Sequence, residues 1–237
     1  MKSLKELYRI GQGPSSSHTM GPRLAAEKYL RRHPDANAFR VTLYGSLAAT
    51  GKGHLTDQAI WEVLGKDRTE FVWHPEITLP FHPNGMKFEV ATPRGSFTEA
   101  WTVFSIGGGA LVEEGKVQTE TPDVYDLDRL ADIKKWCEQR GMSYWEYVET
   151  CEGLEIWDYL QTVWDTMCAA VERGLEHEGV LPGALQLRRK APDYYIRAMG
   201  YGSNLQSRGL VFSYALAVSE ENASGGIIVT APTCGAS

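Results

Sequence analysis

Gly-Pro-Ser-Ser-Ser-His-Thr-Met-Gly-Pro, at residues 13 to 22, is a run of hydroxyl and imidazole groups that leads directly into a predicted helix. The helix signal covers residues 22 to 32, where a proline is followed by strong helix formers and by apolar residues at helical spacing. We expect Ser17 or Thr19 to cap this helix. A helix start presents free backbone N–H groups and the positive end of the dipole, which favour a carboxylate or phosphate. The alternative is that these hydroxyls only form a turn and cap the helix.

The residues that follow, up to about 120, mix strand-like and helix-like patterns. Residues 56 to 65 indicate a short helix closed by glycine, and Pro83-Asn-Gly is strong turn chemistry. Strand-like or extended segments are predicted at residues 39 to 44, 71 to 80, 86 to 90 and 98 to 106. This mixture predicts an α/β (α+β) N-terminal domain over residues 1 to 120.

Helical signals dominate from residue 121 onward. Helices are predicted from 126 to 140, from a capping box at Ser143 and Glu146, from 154 to 175, and from about 205 to 221. The glycine-rich end after Gly225 stops in mid-motif, and we expect it to lack helices on which to pack. Residues 121 to 237 are therefore predicted to form an all-helical domain that is truncated, with strands confined to the first 120 residues.

Composition and charge exclude several classes of function. A chain of 237 residues with 43% hydrophobic and 23% charged residues is typical of a globular protein, and its net charge of −6 argues against a nucleic-acid partner. We expect no membrane partner and a cytoplasmic location, because no apolar run approaches a membrane span or a signal peptide. The cysteines show no C-x-x-C pair, so we expect Cys137, Cys151 and Cys168 to be reduced and to pack in cores.

Three of the six histidines, His18, His54 and His82, lie in loops dense with glycine, proline and polar residues. A single histidine is more often a surface residue than a catalyst, but three such loops in one small domain predict that the loops converge. Lys52, between two glycines, is either an anion contact or simply solvated. Cys234 lies in a glycine-lined turn that suits a metal ligand or a nucleophile, although a structural cysteine fits such a turn too.

The order of these motifs resembles that of the iron–sulfur L-serine dehydratases. The β domain of that family is matched by Ser15-Ser-Ser-His-Thr-Met-Gly-Pro, Gly45-Ser-Leu-Ala-Ala-Thr-Gly-Lys-Gly-His-Leu-Thr-Asp and His82-Pro-Asn-Gly-Met. The helical α domain is matched by Glu178-Gly-Val-Leu-Pro-Gly, Arg188-Arg-Lys-Ala, Glu220-Glu-Asn-Ala and Val229-Thr-Ala-Pro-Thr. The resemblance spans nearly the whole chain. It implies a β domain similar to the allosteric substrate-binding domain of some phosphoglycerate dehydrogenases, and an α domain with a cysteine-held [4Fe–4S] cluster.

The resemblance also implies the reaction, which converts L-serine to pyruvate and ammonia without pyridoxal phosphate. Iron would act as a Lewis acid on the β-hydroxyl while a base removes the α-proton. The candidates for that base are His54 and His82, because the pKa of histidine lies near working pH. The substrate-binding candidates are Ser15, Ser16, Ser17, His18, Thr19, Lys52 and Asn84. We expect a homodimer.

Two departures from the family's pattern limit what this chain should do alone. The family's chain continues past this point and carries cluster cysteines there, so we expect an incomplete piece with no cluster and no dehydratase activity of its own. The loop at residues 232 to 237 also varies within the family in where its cysteine stands, so Cys234 is the candidate metal ligand here, with the position of Ser237 as the alternative. The alternative function is a non-catalytic L-serine-binding or regulatory module. A hydrolase using Ser15 and His18 is disfavoured, because neighbours in sequence rarely point at each other as nucleophile and base must.

Overall fold

A computed structural model describes residues 1–92, 96–115, 122–182 and 185–231, together with the backbone of residues 234–236. The strands are β1 (Arg9–Gln12), β2 (Phe39–Tyr44), β3 (Thr69–His74), β4 (Gly85–Ala91), β5 (Phe97–Gly107), β6 (Ala110–Glu113), β7 (Ile227–Ala231) and β8 (Cys234–Ala236). The α-helices are α1 (Gly21–Arg32), α2 (Gly45–Thr50), α3 (Thr56–Leu64), α4 (Leu130–Arg140), α5 (Tyr144–Glu152), α6 (Glu155–Glu176), α7 (Ala191–Met199) and α8 (Ser203–Ala223). None of the helices in these ranges is both long and apolar enough to cross a membrane.

A five-stranded sheet in the order β3-β2-β4-β5-β6 forms the core of the N-terminal part. Strand β2 runs parallel to β3 and antiparallel to β4, and β5 and β6 extend the sheet by antiparallel pairing. Alternation along β2 and β4 buries one face of the sheet under α1 and α3. The large, fully buried side chains in this layer include Tyr29, Phe39, Phe88, Leu43, Leu47, Ile60 and Leu64.

A second, three-stranded sheet joins the two ends of the chain in the order β1-β7-β8. Strand β1 pairs antiparallel with β7, so that Arg9 lies opposite Thr230 and Gln12 opposite Ile227. Two expectations are therefore wrong: strands are not confined to the first 120 residues, and the chain after Gly225 does pack on helices, since β7 contacts α6 and α8 as well as β1. The physical reason is that strand pairing across more than 200 residues leaves no local signal in the sequence.

The first residues of the chain also pack on the helical part. The carboxylate of Glu152, at the end of α5, accepts hydrogen bonds from the Ser3 hydroxyl (2.7 Å) and from the Leu4 backbone N–H (2.7 Å). The Tyr125 hydroxyl donates to the same carboxylate (2.8 Å), and the Tyr159 hydroxyl of α6 donates to the Tyr8 carbonyl. The N-terminal segment thus ties the helices of the second part to β1.

The predicted fold class is confirmed: an N-terminal region of mixed sheet and helix is followed by a helical region. Several details differ. Helices α2 and α7 were not predicted, and α4 begins at Leu130 rather than at residue 126. Neither Ser17 nor Thr19 caps α1, because α1 continues without a break from a wide helical turn over Ser16–Met20, whose cap is Ser15.

The capping box of α5 is present as predicted. The Ser143 hydroxyl and the Glu146 carboxylate satisfy the first free N–H groups of the helix, and the Ser143 N–H donates to Glu146 at 2.7 Å. We expect a Ser143→Ala variant to lose about 1 kcal/mol of unfolding free energy in urea titrations. A Lys135→Ala change on exposed α4 should stay within about 0.5 kcal/mol of the wild type. Equal losses in the two variants would contradict the capping assignment.

Candidate active site

The turn between β1 and α1 is closed by its own hydroxyl groups. We call residues 15 to 20 the serine turn. The Ser15 hydroxyl accepts from the His18 N–H (3.1 Å), and the Ser15 N–H donates to Oγ1 of Thr19 (3.2 Å). The Ser15 carbonyl in turn accepts from the Thr19 and Met20 N–H groups. Thr19 is fully buried, whereas Ser16 and Ser17 stay half-buried at the surface of the turn. These bonds hold the serine turn in one shape at the start of α1.

His18 and His54 lie in contact, as predicted for two of the three loops. Their ring centroids are 4.8 Å apart. The Thr19 hydroxyl donates to the His54 carbonyl (2.7 Å), and the Thr56 hydroxyl donates to the His18 carbonyl. Each backbone is therefore anchored by a threonine from the other loop. This reciprocal bonding explains why two loops far apart in sequence come together.

The tautomer of His54 follows from the hydrogen bond that its ring makes within the described part of the chain. Its Nδ1 lies 3.0 Å from the Thr50 carbonyl oxygen, which can only accept. Neutral His54 must therefore carry its proton on Nδ1. The lone pair is left on Nε2, where a substrate proton can be taken up.

His18 is held between two hydroxyl groups and titrates below its usual range. Its Nδ1 lies 2.9 Å from the Ser17 hydroxyl and its Nε2 lies 3.1 Å from the Ser46 hydroxyl of α2. Burial lowers the pKa of His18, and the neighbouring His54 lowers it further. His18 is thus kept neutral and oriented by the two serines.

His82 lies on the adjacent loop but contacts neither of the other two rings among the described contacts. Its Nδ1 accepts the Asn84 backbone N–H (3.1 Å), so neutral His82 has its proton on Nε2. The carbonyl of Pro83 accepts from the Ser46 N–H (3.1 Å), which joins this loop to the partner of His18. The structure thus brings the three loops to one end of the sheet, and neutral His82 is the opposite tautomer to neutral His54.

The remaining substrate-binding candidates take different positions. Asn84 is 8% exposed, and its Nδ2 donates to the Ser105 carbonyl of β5 (3.2 Å). Its Oδ1 is buried and has no partner in the described part of the chain. Lys52 is exposed, with Nζ 5.4 Å from the centre of the Trp73 ring. Lys52 is thus an exposed residue of the short helical segment Gly51–His54, whereas Asn84 lies beneath the surface.

The described cysteines do not by themselves fit an iron–sulfur cluster. Cys137 is buried with Tyr125 and Tyr147 and donates to the Ser143 carbonyl (3.6 Å), and Cys151 packs on the same aromatic cluster. Cys168 is half-buried on α6. Across the described residues, no three side chains of His, Cys, Asp or Glu come together as a metal site. Cubane clusters are held almost entirely by cysteine sulfur, so these thiols are too dispersed.

The backbone of Cys234 lies in β8, but its side chain is outside the described residues. Cys234 pairs with Ala231, at the end of β7 that faces Arg9. The serine turn follows the other end of β1, at Gln12. The second sheet therefore holds the cysteine backbone and the serine turn at opposite ends. Ser237 lies outside the described residues.

A cavity of about 640 Å³ lies beside the serine turn, between β1, the start of α1 and the Gly108–Gly109 turn. Met20 belongs to both the cavity wall and the turn, but none of the three histidines lines the cavity. We therefore locate the candidate site by the contact between His18 and His54, which brings together two of the predicted site residues.

A cluster of charged side chains around the buried Glu221, at the end of α8, was not predicted. Glu221, only 3% exposed, accepts from Arg189 Nη1 (3.0 Å), Arg173 Nε (3.1 Å) and His177 Nδ1 (2.8 Å). Burial raises the pKa of Glu221, but the hydrogen bonds from His177, Arg189 and Arg173 outweigh it and hold the pKa below its usual value. We call these four residues the Glu221 cluster. The only signal in the sequence was the resemblance of the two motifs that contain Arg189 and Glu221.

The lowered pKa of His18 predicts a pH-dependent stability. An unfolded histidine titrates near 6.5, and the folded protein binds this proton less readily. The unfolding free energy should therefore fall as the pH drops below 6.5, until the folded protein also binds the proton. We expect His18→Gln to reduce this slope in urea titrations between pH 7.5 and 5.5 (about one unit either side of the midpoint). Ser16→Ala, which alters the same turn without removing a titrating group, should keep it. Identical slopes in wild type and His18→Gln would contradict the assignment.

Comparison with known proteins agrees with the resemblance. The family model of the serine dehydratase beta chain matches residues 3–72, and that of the serine dehydratase alpha chain matches residues 77–237. An L-serine dehydratase of Mycobacterium bovis is 36% identical over 289 aligned positions, which cover 99% of this chain and 62% of the relative. That of Haemophilus influenzae is 33% identical, covering 100% and 64%, and L-serine dehydratase TdcG of Escherichia coli is 32% identical with the same coverage.

The chain spans less than two thirds of the length of these curated relatives. Their aligned regions are longer than the 237 residues of this chain, so the relatives carry insertions within the matched region. The two family models together cover both the sheet with the histidine loops and the helices with the Glu221 cluster. The chain belongs to the serine dehydratase family.

Proposed function

We propose that this chain carries part of the machinery of an L-serine dehydratase, which converts L-serine to pyruvate and ammonia. The observation that carries the proposal is the His18–His54 pair at the serine turn, where the rings lie 4.8 Å apart. The relatives named above are L-serine dehydratases, and they match the chain over both of its parts. Elimination from serine needs a base for the α-proton and donors for the carboxylate, and this site offers both.

His54 is the base in this proposal. The Thr50 carbonyl holds the proton of neutral His54 on Nδ1, so Nε2 can accept the α-proton of serine. His82 suits the task less well, because the lone pair of its Nδ1 is used by the Asn84 N–H. Loss of the α-proton and of the β-hydroxyl gives aminoacrylate and water. Tautomerisation and hydrolysis then consume one water and release pyruvate and ammonia.

The serine turn is the carboxylate site in this proposal. The N–H groups of Ser16 and Ser17 come first in the wide turn and have no acceptor among the described residues. Their hydroxyl groups stay half-buried beside them. If neutral His18 carries its proton on Nδ1, it donates to the Ser17 oxygen and leaves the Ser17 hydroxyl free to donate to a carboxylate; in the other tautomer, Nδ1 accepts from that hydroxyl. A carboxylate there would accept from the turn as anions do at helix N-termini.

A [4Fe–4S] cluster, which the resemblance implies, needs ligands besides the three described cysteines. Two of these, Cys137 and Cys151, pack in one aromatic cluster, and Cys168 lies on α6 outside that cluster. We propose that the complete protein supplies the further thiolates and that, as the resemblance implies, pyridoxal phosphate takes no part.

The test is pyruvate formation from L-serine by the complete protein after anaerobic reconstitution with iron and sulfide. We expect turnover with L-serine. Binding of L-serine without any pyruvate would overturn the proposal in favour of a binding or regulatory module. The same assay on the 237-residue chain alone should show neither turnover nor about four irons per chain.

A further inference from the structure

The end of α8 contacts the backbone that opens the serine turn. The Asn222 side chain donates through Nδ2 to the Pro14 carbonyl (3.3 Å), and the Gly13 N–H donates to the Gly226 carbonyl (3.0 Å). A Cβ on Gly13 would lie 2.3 Å from the Asn222 carbonyl oxygen, so the two backbones meet with no room for a side chain. Pro14 directly precedes Ser15, which closes the turn onto His18.

The Glu221 cluster holds this end of α8 in place. The Glu221 carboxylate is bound by Arg173 of α6 and by His177, the residue that follows α6. It is also bound by Arg189 from the segment before α7. Arg173 also donates to the Ile227 carbonyl of β7 (2.6 Å), and Arg189 donates to the Ser224 hydroxyl (2.6 Å). These ion pairs and hydrogen bonds thus fix residues 221 to 227 against α6 and the segment before α7, and Asn222 lies within that stretch.

We propose that Asn222, held by the Glu221 cluster, is a positioning residue for the serine turn and through it for His18. The inference rests on the proposed function, since the turn is the proposed carboxylate site. Among the contacts described, Asn222 touches neither the histidine rings nor the half-buried hydroxyls of the turn. It acts on them through Pro14 and Ser15. A displacement of about 1 Å at a catalytic group costs up to about 100-fold in rate.

The test compares Asn222→Asp with Asn204→Asp in the complete protein. Aspartate keeps the shape of asparagine, but its carboxylate cannot donate to the Pro14 carbonyl. Asn204 is exposed on the first turn of the same helix. Asn204→Asp therefore makes the same chemical change far from the serine turn. An Asn222→Ala variant removes the donor without adding a charge beside Glu221, and it replaces Asn222→Asp should that variant fail to fold.

The first readout is kcat for pyruvate formation, and the second is hydrogen exchange of the backbone amides of residues 18 to 21. We expect kcat to fall about 10- to 100-fold in both Asn222 variants. We expect the amide protection of the turn to fall at least about tenfold, because its opening free energy is reduced. The Asn204→Asp variant should match the wild type in both measurements.

Unchanged hydrogen exchange in the turn would overturn the inference, because Asn222 would then not hold the turn in place. Any fall in kcat would in that case have another structural cause. Unchanged kcat with faster exchange would overturn it as well. If the wild-type complete protein forms no pyruvate, the proposed function fails, and the exchange comparison still decides whether Asn222 positions the turn.

Discussion

A His54→Asn variant of the complete protein should form pyruvate about 100- to 10,000-fold more slowly than the wild type, because the base for the α-proton is lost. The asparagine amide can still donate to the Thr50 carbonyl, as Nδ1 of His54 does, so the fold around residues 51 to 54 should be kept. The measurement is kcat with L-serine, together with solvent deuterium exchange into the α-position of serine. Thermal unfolding should be close to that of the wild type.

His82→Asn is the matched comparison for this prediction. Nδ1 of His82 already accepts the Asn84 N–H, and its ring contacts neither His18 nor His54 among the described contacts. We expect a loss of less than about tenfold in kcat, far below the effect of removing a general base. A larger loss in His82→Asn than in His54→Asn would reverse the assignment of the base.

Local patterns predicted much of the fold. The apolar spacing of α6, the capping box of α5 and the glycine at the end of α3 all act within one or two turns of chain, and each was found. Helix α2 was missed because its first residue, Gly45, looks like a loop glycine. Gly45 has a φ of 49°, and a Cβ there would lie 2.6 Å from the Pro83 carbonyl, so the approach of a distant loop decides this helix start.

The candidate site was predicted in outline but not in its chemistry. The sequence predicts that polar loops converge, and the contact of His18 with His54 confirms this for two of the three loops. It could not distinguish His54 from His82, because their tautomers are set by the Thr50 carbonyl and the Asn84 N–H, which only the folded backbone places. The Glu221 cluster was missed for a related reason: its charges come from separate segments, and each resembles a solvated surface charge when it is considered alone.

The Glu221 cluster carries the largest expected effect on stability. Glu221→Gln keeps the shape of the side chain but removes the charge that neutralises Arg189, whose side chain is only 8% exposed. Removing one partner of a buried ion pair costs about 3 to 5 kcal/mol, because the other charge is left without compensation. We expect the unfolding free energy of Glu221→Gln to be lower by that amount in urea titrations near neutral pH, because this pH is well above the usual carboxyl pKa of 4.5.

The three partners of Glu221 should differ according to their exposure. Arg189 is the most buried, whereas the side chain of Arg173 is 37% exposed and that of His177 is 55% exposed. Water screens an exposed charge, so His177→Ala should cost less than about 1 kcal/mol. Arg189→Met should cost more than Arg173→Met, because it removes the partner least screened by solvent. Equal losses in all three variants would show that burial does not rank these ion pairs.

The pH dependence separates the charge of Glu221 from its packing. Because the pKa of Glu221 is lowered on folding, its ionisation stabilises the fold above the unfolded value of 4.5, and this contribution is lost as the pH falls through the folded value. Glu221→Gln has no such proton to bind. The difference in unfolding free energy between wild type and Glu221→Gln should therefore shrink as the pH falls below 4.5. A difference that stays constant across this range would mean that the side chain contributes by packing alone.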